Sequence, residues 1–223
     1  IASGAVDDYA AHLTISTTSW VSCAVPFKKT DVVHQMASVP DVRPGQYLMI
    51  DNHETAGVCL QWLRDGVLGS SYEELVDLAA AAPPGSGGVL FTPWLKGERS
   101  PVDDRSLRAS FVNVSIDTDR RHLVRAVLEG VAHNMRWLVE VADRFAGRRL
   151  EPIRILGGGA QADLWCQIHA DVLGRRIERV DDPHIAQLRG VALYALLALG
   201  EVTIDEAAGR ATASRVFEPG PES

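Results

Sequence analysis

Three adjacent glycines, Gly157, Gly158 and Gly159, stand between the apolar run PIRIL and the helix-like stretch ADLWCQIHADVLG. Without a Cβ, such a turn permits positive φ and lets another group lie close to the backbone. Where the turn opens a helix, its free amide groups also attract polar or anionic ligands. Two common ways of holding a nucleotide fail on spacing. GGGAQAD is not G-x-G-x-x-G, and no acidic residue ends a strand at the distance a dinucleotide site requires. A P-loop needs Gly-Lys-Ser or Gly-Lys-Thr, and neither follows. Two readings remain: a flat group such as a nucleobase or its ribose laid against bare backbone, or glycines that serve strand-helix packing alone.

A second turn has a different chemistry. STTSW, residues 16–20, carries four consecutive hydroxyls. Hydroxyls together with turn amides can hold a phosphate without formal positive charge. Ser and Thr are also ordinary turn formers, so the stretch by itself leaves both readings open. In GERSP, residues 97–101, Glu98 and Arg99 can be a catalytic acid with a phosphate-binding arginine. A structural ion pair that ties the loop to the domain is favoured, because such pairs often imitate sites. His122 and His133 are expected as a cap-region residue and a helix-face residue, not as metal ligands. In DDPH, residues 181–184, Pro183 marks a turn and helix start, so no metal site is assigned. Asp7 and Asp8 fall in a turn where solvation suffices.

These turns need elements to position them. AHLTISTTSWVSCAVPF (11–27) has two β-rich runs around the Thr/Ser turn, as in a hairpin. DVRPGQYLMIDN (41–52) adds a turn and a third strand. TAGVCLQWLRDGVLG (55–69) has helical spacing, and SSYEELVDLAAAAPPGSGG (70–88) reads as a short capped helix. GVLFTPWLKGERSPVDD (88–104) is expected as a buried strand entering an irregular loop, and ASFVNVS (109–115) as a short strand. From Asp119 to Phe145 apolar residues recur every three or four positions, the clearest amphipathic helix of the chain. Two strand-helix units close it, PIRILGGG into ADLWCQIHADVLG and RRIERV into HIAQLRGVALYALLALG. A hairpin followed by alternating strands and helices describes an α/β fold, a mixed sheet flanked by helices.

The 223 residues are 46% hydrophobic and 23% charged, as in a globular domain, with a net charge of −7. No basic block is present, which argues against a nucleic-acid partner. The longest apolar run falls short of the ~20 residues that cross a bilayer. Cys23, Cys59 and Cys166 are odd in number and far apart, which suits a reducing cytoplasm and no disulfide framework. The opening IASGAV reads like the end of a helix, and a piece of a longer protein is expected.

Five stretches in fixed order carry a resemblance. They are TAGVCLQWLRD (55–65), FTPWLKGERSPVDD with RASFVNVS (91–115), HLVRAVLEGVAHNMR (122–136), LGGGAQADLWCQIHADVLGRRIE (156–178) and RGVALYALLALG (189–200). Together they resemble the C-terminal half of FGGY-family carbohydrate kinases, most closely the xylulokinase-like branch. The resemblance implies an actin-like ATPase (ribonuclease H-like) domain over residues 1–223. It implies that Thr17 and Thr18 contact nucleotide phosphates and that Gly158, Gly159 and Ala160 line the adenosine site. Gln161, Ala162 and Asp163 follow where relatives often place a polar residue near the nucleotide; an N-cap role for Asp163 is an equal alternative. Ser16, Ala109 and Asn113 stand where the family has glycines, which bears on ATP affinity.

The implied reaction transfers the γ-phosphate of ATP to a sugar hydroxyl, with a pentulose such as xylulose as acceptor. Mg²⁺ is expected to be held mainly by residues outside this chain. The resemblance implies a sugar-binding N-terminal domain and a catalytic aspartate in a Gly-x-Gly-Asp segment upstream of Ile1. No residue of the present chain is therefore assigned as catalytic, and the chain alone is expected to be inactive. ATP or ADP, a sugar and a second copy of the chain are the expected partners, with exposed apolar surface and the helix at 184–199 facing a hinge. A non-catalytic nucleotide-binding or interaction module is the alternative.

Overall fold

The hairpin forms where the two β-rich runs meet. In the computed structural model, which describes residues 1–220, β1 (Ala11–Ile15) and β2 (Ser19–Val25) pair antiparallel with Ile15 opposite Ser19. That register leaves Ser16, Thr17 and Thr18 as the tip. The remaining strands are β3 (Thr30–Asp31), β4 (Met36–Pro40), β5 (Tyr47–His53), β6 (Leu90–Thr92), β7 (Ser110–Val112), β8 (Ile153–Leu156), β9 (Ile177–Val180) and β10 (Ala213–Phe217). The helices are α1 (Gly57–Leu63), α2 (Tyr72–Ala80), α3 (Arg120–Ala146), α4 (Asp163–Leu173), α5 (Ala186–Ala198) and α6 (Ile204–Gly209). A π-helical turn, Arg64–Leu68, follows α1 directly.

Eight strands form one mixed sheet in the order β10-β9-β8-β1-β2-β5-β4-β3, and β6 with β7 forms a separate two-stranded sheet. The arrangement is the expected mixed sheet flanked by helices. Two pairings position everything that follows. β1 and β8 run parallel, with Thr14 opposite Leu156, so the hairpin tip and the glycine turn emerge at the same end of the sheet. β5 is antiparallel to β2, with Asn52 opposite Trp20 and His53 opposite Ser19, so the C-terminal end of β5 reaches that end as well.

Leu13, Ile15, Val21, Cys23 and Met49 turn one face of the sheet into the core, in one cluster with Leu128, Val131, Met135 and Leu138 of α3. Alternation along the same strands sends His12, Thr14, Trp20, Ser22, Leu48 and Ile50 to the other face. There they border an open depression together with Ile1, Ala2 and Gln187.

Helix ends follow local chemistry. α2 starts in the expected capping box, with Ser71 and Glu74 bonding reciprocally. At α3, the Asp119 carboxylate accepts from the Arg121 amide and the Asp119 amide donates to His122 Nδ1 across 3.2 Å. His122 is thus the cap-region residue its position suggests, and His133 lies exposed on α3.

Some expectations are corrected. Residues 1–6 form turns, with Gly4 at φ +68° and its amide bonded to the Ile1 carbonyl. β3, β4, β10 and α6 carry little periodic signal. The three strands exist because neighbouring strands supply their hydrogen-bond partners, and α6 because Thr203 and Glu206 cap it. β6 is only partly buried, with Leu90 exposed. Among the described residues, no helix is long and apolar enough to cross a membrane.

Candidate nucleotide-binding site

The hairpin tip is held from beneath by the start of α1. The amides of Ala56 and Val58 donate to the Thr17 carbonyl at 3.0 and 3.3 Å, and that of Gly57 to the Ser16 carbonyl at 2.7 Å. The carbonyls of the tip are thereby engaged. Ser16 does not take positive φ, so serine at this family-glycine position costs no backbone strain. The steric demand falls on Gly57 instead, where a Cβ would collide with the Ser16 carbonyl.

The two threonines diverge. Thr17 borders a cleft of about 750 Å³ on the α1 side of the tip. Thr18 is outside the cleft lining, and its Oγ1 accepts from Trp20 Nε1 across 3.0 Å.

Each glycine of the second turn answers a different constraint. Gly157 has φ +100°, its missing side chain would overlap the Ile15 backbone, and its amide donates to the Pro183 carbonyl at 2.8 Å. Gly158 has nothing within 4 Å in the Cβ direction, so it is the one open to an incoming group. A Cβ on Gly159 would stand 2.6 Å from Ile15 Cγ2 and 3.0 Å from the Trp165 ring. Gly158 and Gly159 both line the cleft with Gln161 and Ala162.

Two residues assigned by resemblance lie elsewhere. Ala160 is fully buried in the core because its small side chain turns inward beneath the turn. Asp163 is the first residue of α4, and the N-cap is Ala162 without a side-chain cap bond. The Asp163 carboxylate pairs with Arg179 at 2.5 Å and with Arg215, because β9 and β10 bring both guanidinium groups alongside it.

The rest of the cleft comes from elements whose part in the site was not read from the sequence. Gly57, Leu60 and Gln61 of α1 and Tyr72, Glu73, Val76 and Asp77 of α2 form one wall, with Leu128 and Trp165 as floor. Trp165 is fixed by an indole bond to the Leu128 carbonyl at 3.1 Å. The available signal was helical spacing, since Gln61 stands one turn after Gly57. Apolar floor, bare glycine backbone and few polar groups suit a nucleoside, with hydroxyl and amide donors at one end for its phosphates.

On the far side of the tip, the GERSP loop is locked down. The buried Glu98 accepts from the Glu54 amide at 3.0 Å, the Arg99 amide at 2.8 Å and Asn134 Nδ2 at 2.7 Å. Burial pushes its carboxyl above the usual range, and these donors oppose the shift. The expected Glu98–Arg99 ion pair does not form: Glu98 is satisfied by uncharged donors, and the exposed Arg99 side chain extends to Asn52 Oδ1 at 2.8 Å. Asp51, also buried, meets Ser100 Oγ, and burial raises its pKa to about 6. Asn113 takes φ +64°, a conformation asparagine adopts more readily than most side chains though less freely than glycine, and its Nδ2 donates to the Gly88 carbonyl.

Among the described residues, no group of three His, Cys, Asp or Glu side chains could hold a metal ion.

The sequence pattern of the FGGY family of carbohydrate kinases, C-terminal domain, matches residues 16–199. The chain belongs to the FGGY family. Over its whole length it is 30% identical to a xylulose kinase of Staphylococcus epidermidis, of which it covers 45%. A glycerol kinase of Acaryochloris marina is 37% identical over 74% of the chain and 33% of the relative. A ligand-bound xylulose kinase of Lactobacillus acidophilus superposes with a TM-score of 0.85 at 25% identity, covering 99% of the chain and 45% of that structure. The fold is therefore the actin-like ATPase fold of FGGY kinases, and this FGGY chain spans about half the length of such relatives.

Proposed function

We propose that the chain is the nucleotide-binding half of an ATP-dependent carbohydrate kinase that phosphorylates a sugar hydroxyl, with a pentulose such as xylulose as acceptor. One observation carries the reading: a single cleft joins Thr17 at the hairpin tip to Gly158 at the glycine turn, at one end of the sheet. The purine and ribose would lie between Gly158, Gln161 and Trp165 on one side and Gln61 and α2 on the other. The phosphates would extend to the hydroxyl of Thr17.

In this reading Thr17, Gly158 and Gly159 bind nucleotide, Ala160 supports the turn from below, and Thr18 acts from the opposite side of the tip. Asp163 positions α4 through its arginine pairs. Mg²⁺, when bound with ATP, would neutralise phosphate charge; among the described residues no group of three His, Cys, Asp or Glu side chains is placed to cage it. The sugar pocket and the carboxylate that activates its hydroxyl belong to a domain preceding this one, so the isolated chain is expected to bind nucleotide without turning over. A cytoplasmic setting agrees with three buried, unpaired cysteines.

The pentulose assignment is supported by the xylulose kinase relatives and opposed by the glycerol kinase relative. Calorimetric titration with ATP and ADP tests the cleft, and the absence of any saturable heat overturns the reading. A panel of ketoses and polyols, assayed for ADP release with the full-length protein, tests the acceptor. The alternative is a non-catalytic nucleotide-binding or interaction module, and saturable nucleotide binding without ADP release from any acceptor in the full-length protein would favour it.

A further inference from the structure

We propose that Arg99 is a catalytic residue that receives the negative charge of the transferred phosphoryl group, and that Asn52 and Glu98 are positioning residues that aim it. The inference rests on the kinase reading above and adds a residue to it.

The hairpin tip divides two spaces. Thr17 faces the cleft, while Thr18 bonds Trp20 on the other side. Trp20 stands directly opposite Asn52 on the neighbouring strand, so their side chains share a face of the sheet. Asn52 Oδ1 accepts from the Arg99 guanidinium at 2.8 Å. Thr18, Trp20, Asn52 and Arg99 thus form a continuous row leading away from the tip on the side opposite the base. A nucleotide whose purine occupies the cleft and whose phosphates cross the tip presents its terminal phosphate to this row.

Arg99 is the cation that row supplies. Among the described residues it enters no ion pair, although its neighbour Glu98 carries a carboxylate. Both Glu98 oxygens are already occupied by amides, and Asn52 orients the guanidinium, which makes no direct ion pair although the buried Asp51 carboxyl lies within its electrostatic reach. The hydroxyl-rich tip has no formal charge of its own, and phosphoryl transfer needs charge stabilisation. In the step, the bond from the γ-phosphorus to the bridging oxygen of ADP breaks as a bond to the acceptor hydroxyl oxygen forms. The hydroxyl proton passes to a carboxylate base and then to water, and the guanidinium binds the equatorial oxygens throughout.

The test is steady-state kinetics of the full-length kinase carrying Arg99→Ala and Arg99→Lys. Removing a preorganised charge donor is expected to lower kcat by about 100-fold to 1000-fold in R99A. R99K should lie between, KM for the sugar and the affinity for ADP should stay within about twofold, and the unfolding temperature should be unchanged. Added guanidinium at millimolar concentration should restore part of the R99A rate. A wild-type kcat in R99A overturns the inference and leaves the kinase reading standing. A fall in kcat matched by a lower unfolding temperature and weaker ADP binding, without guanidinium rescue, makes Arg99 structural and also overturns it. A wild-type protein that neither binds ATP nor phosphorylates any ketose or polyol removes both.

Discussion

The Gly57 amide donates to the Ser16 carbonyl across 2.7 Å, so the first turn of α1 and the hairpin tip lie backbone to backbone. A side chain at position 57 would have no room, because its Cβ would overlap that same carbonyl. Gly57→Ala is expected to push the tip away from α1. The destabilisation is about 2 kcal/mol, typical of overpacking. ATP affinity should fall at least about tenfold, the equivalent of one hydrogen bond to the phosphates. Thermal unfolding and calorimetry check the two effects; an unchanged ATP affinity would separate the tip from the nucleotide.

The glycine turn offers an internal control. Gly158 is open in the Cβ direction, whereas Gly159 faces Ile15 and Trp165. Gly158→Ala should therefore leave the unfolding temperature within a degree or two while weakening ATP and ADP alike, since the methyl enters the cleft. Gly159→Ala should lower both stability and binding, because the Trp165 floor must shift. Equal nucleotide affinities in wild type and G158A would argue that the base lies elsewhere.

Glu98 is the anchor of the GERSP loop. Glu98→Ala strands the amides of Glu54 and Arg99 and the Asn134 side chain in a buried place. A loss of about 3 kcal/mol is expected, the scale of leaving several buried donors unpaired. Denaturant unfolding measures it, and a change below about 0.5 kcal/mol, the range of ordinary surface substitutions, would contradict the anchoring role.

Asp51 makes stability depend on pH. Its folded pKa is raised from 3.8 to about 6, so its contribution is fully present below pH 3.8 and is lost as pH rises through about 6. The neutral acid also fits its surroundings: it can donate to Ser100 Oγ, leaving the single Ser100 proton for the His34 carbonyl at 2.9 Å. Asp51→Asn keeps a donor without the buried charge. Relative to wild type it should gain up to about 3 kcal/mol at pH 8 and little at pH 3.5. Urea titrations at the two pH values decide, and a gain independent of pH would refute the titration.

α5 is apolar yet poorly covered. Leu188, Val191 and Tyr194 lie three residues apart on one face and are 71%, 68% and 51% exposed. The isolated chain is expected to self-associate through this face. Analytical ultracentrifugation should show a shift toward monomer in a Leu188→Lys, Val191→Lys double variant, and an unshifted distribution would place any association elsewhere.

Much of this was legible in one dimension. STTSW between two β-rich runs predicts a hairpin tip, the run from Asp119 to Phe145 predicts α3, and Ser71 with Glu74 predicts the capped start of α2, because each depends on residues close in the chain. The glycine turn after PIRIL was equally local. Five ordered stretches were enough to indicate the family. What sequence reasoning missed was assembled over distance: Gln61, Tyr72 and Trp165 enter one cleft only because α1, α2 and α4 pack around α3.

The amino-acid sequence by itself determined the elements, the two turns rich in hydroxyl groups and glycine, and the kinase family. The tertiary structure decided which side chains face which space. Parallel pairing of β1 with β8 put the two turns at one end of the sheet, and the bend at the tip left Thr17 on the cleft while Thr18 turned to Trp20. Ala160 went into the core and Asp163 to two arginines, while Arg99 passed over the adjacent Glu98 for Asn52. Spacing along the chain specifies local backbone geometry. The partner of a side chain depends instead on register and packing between segments remote in sequence.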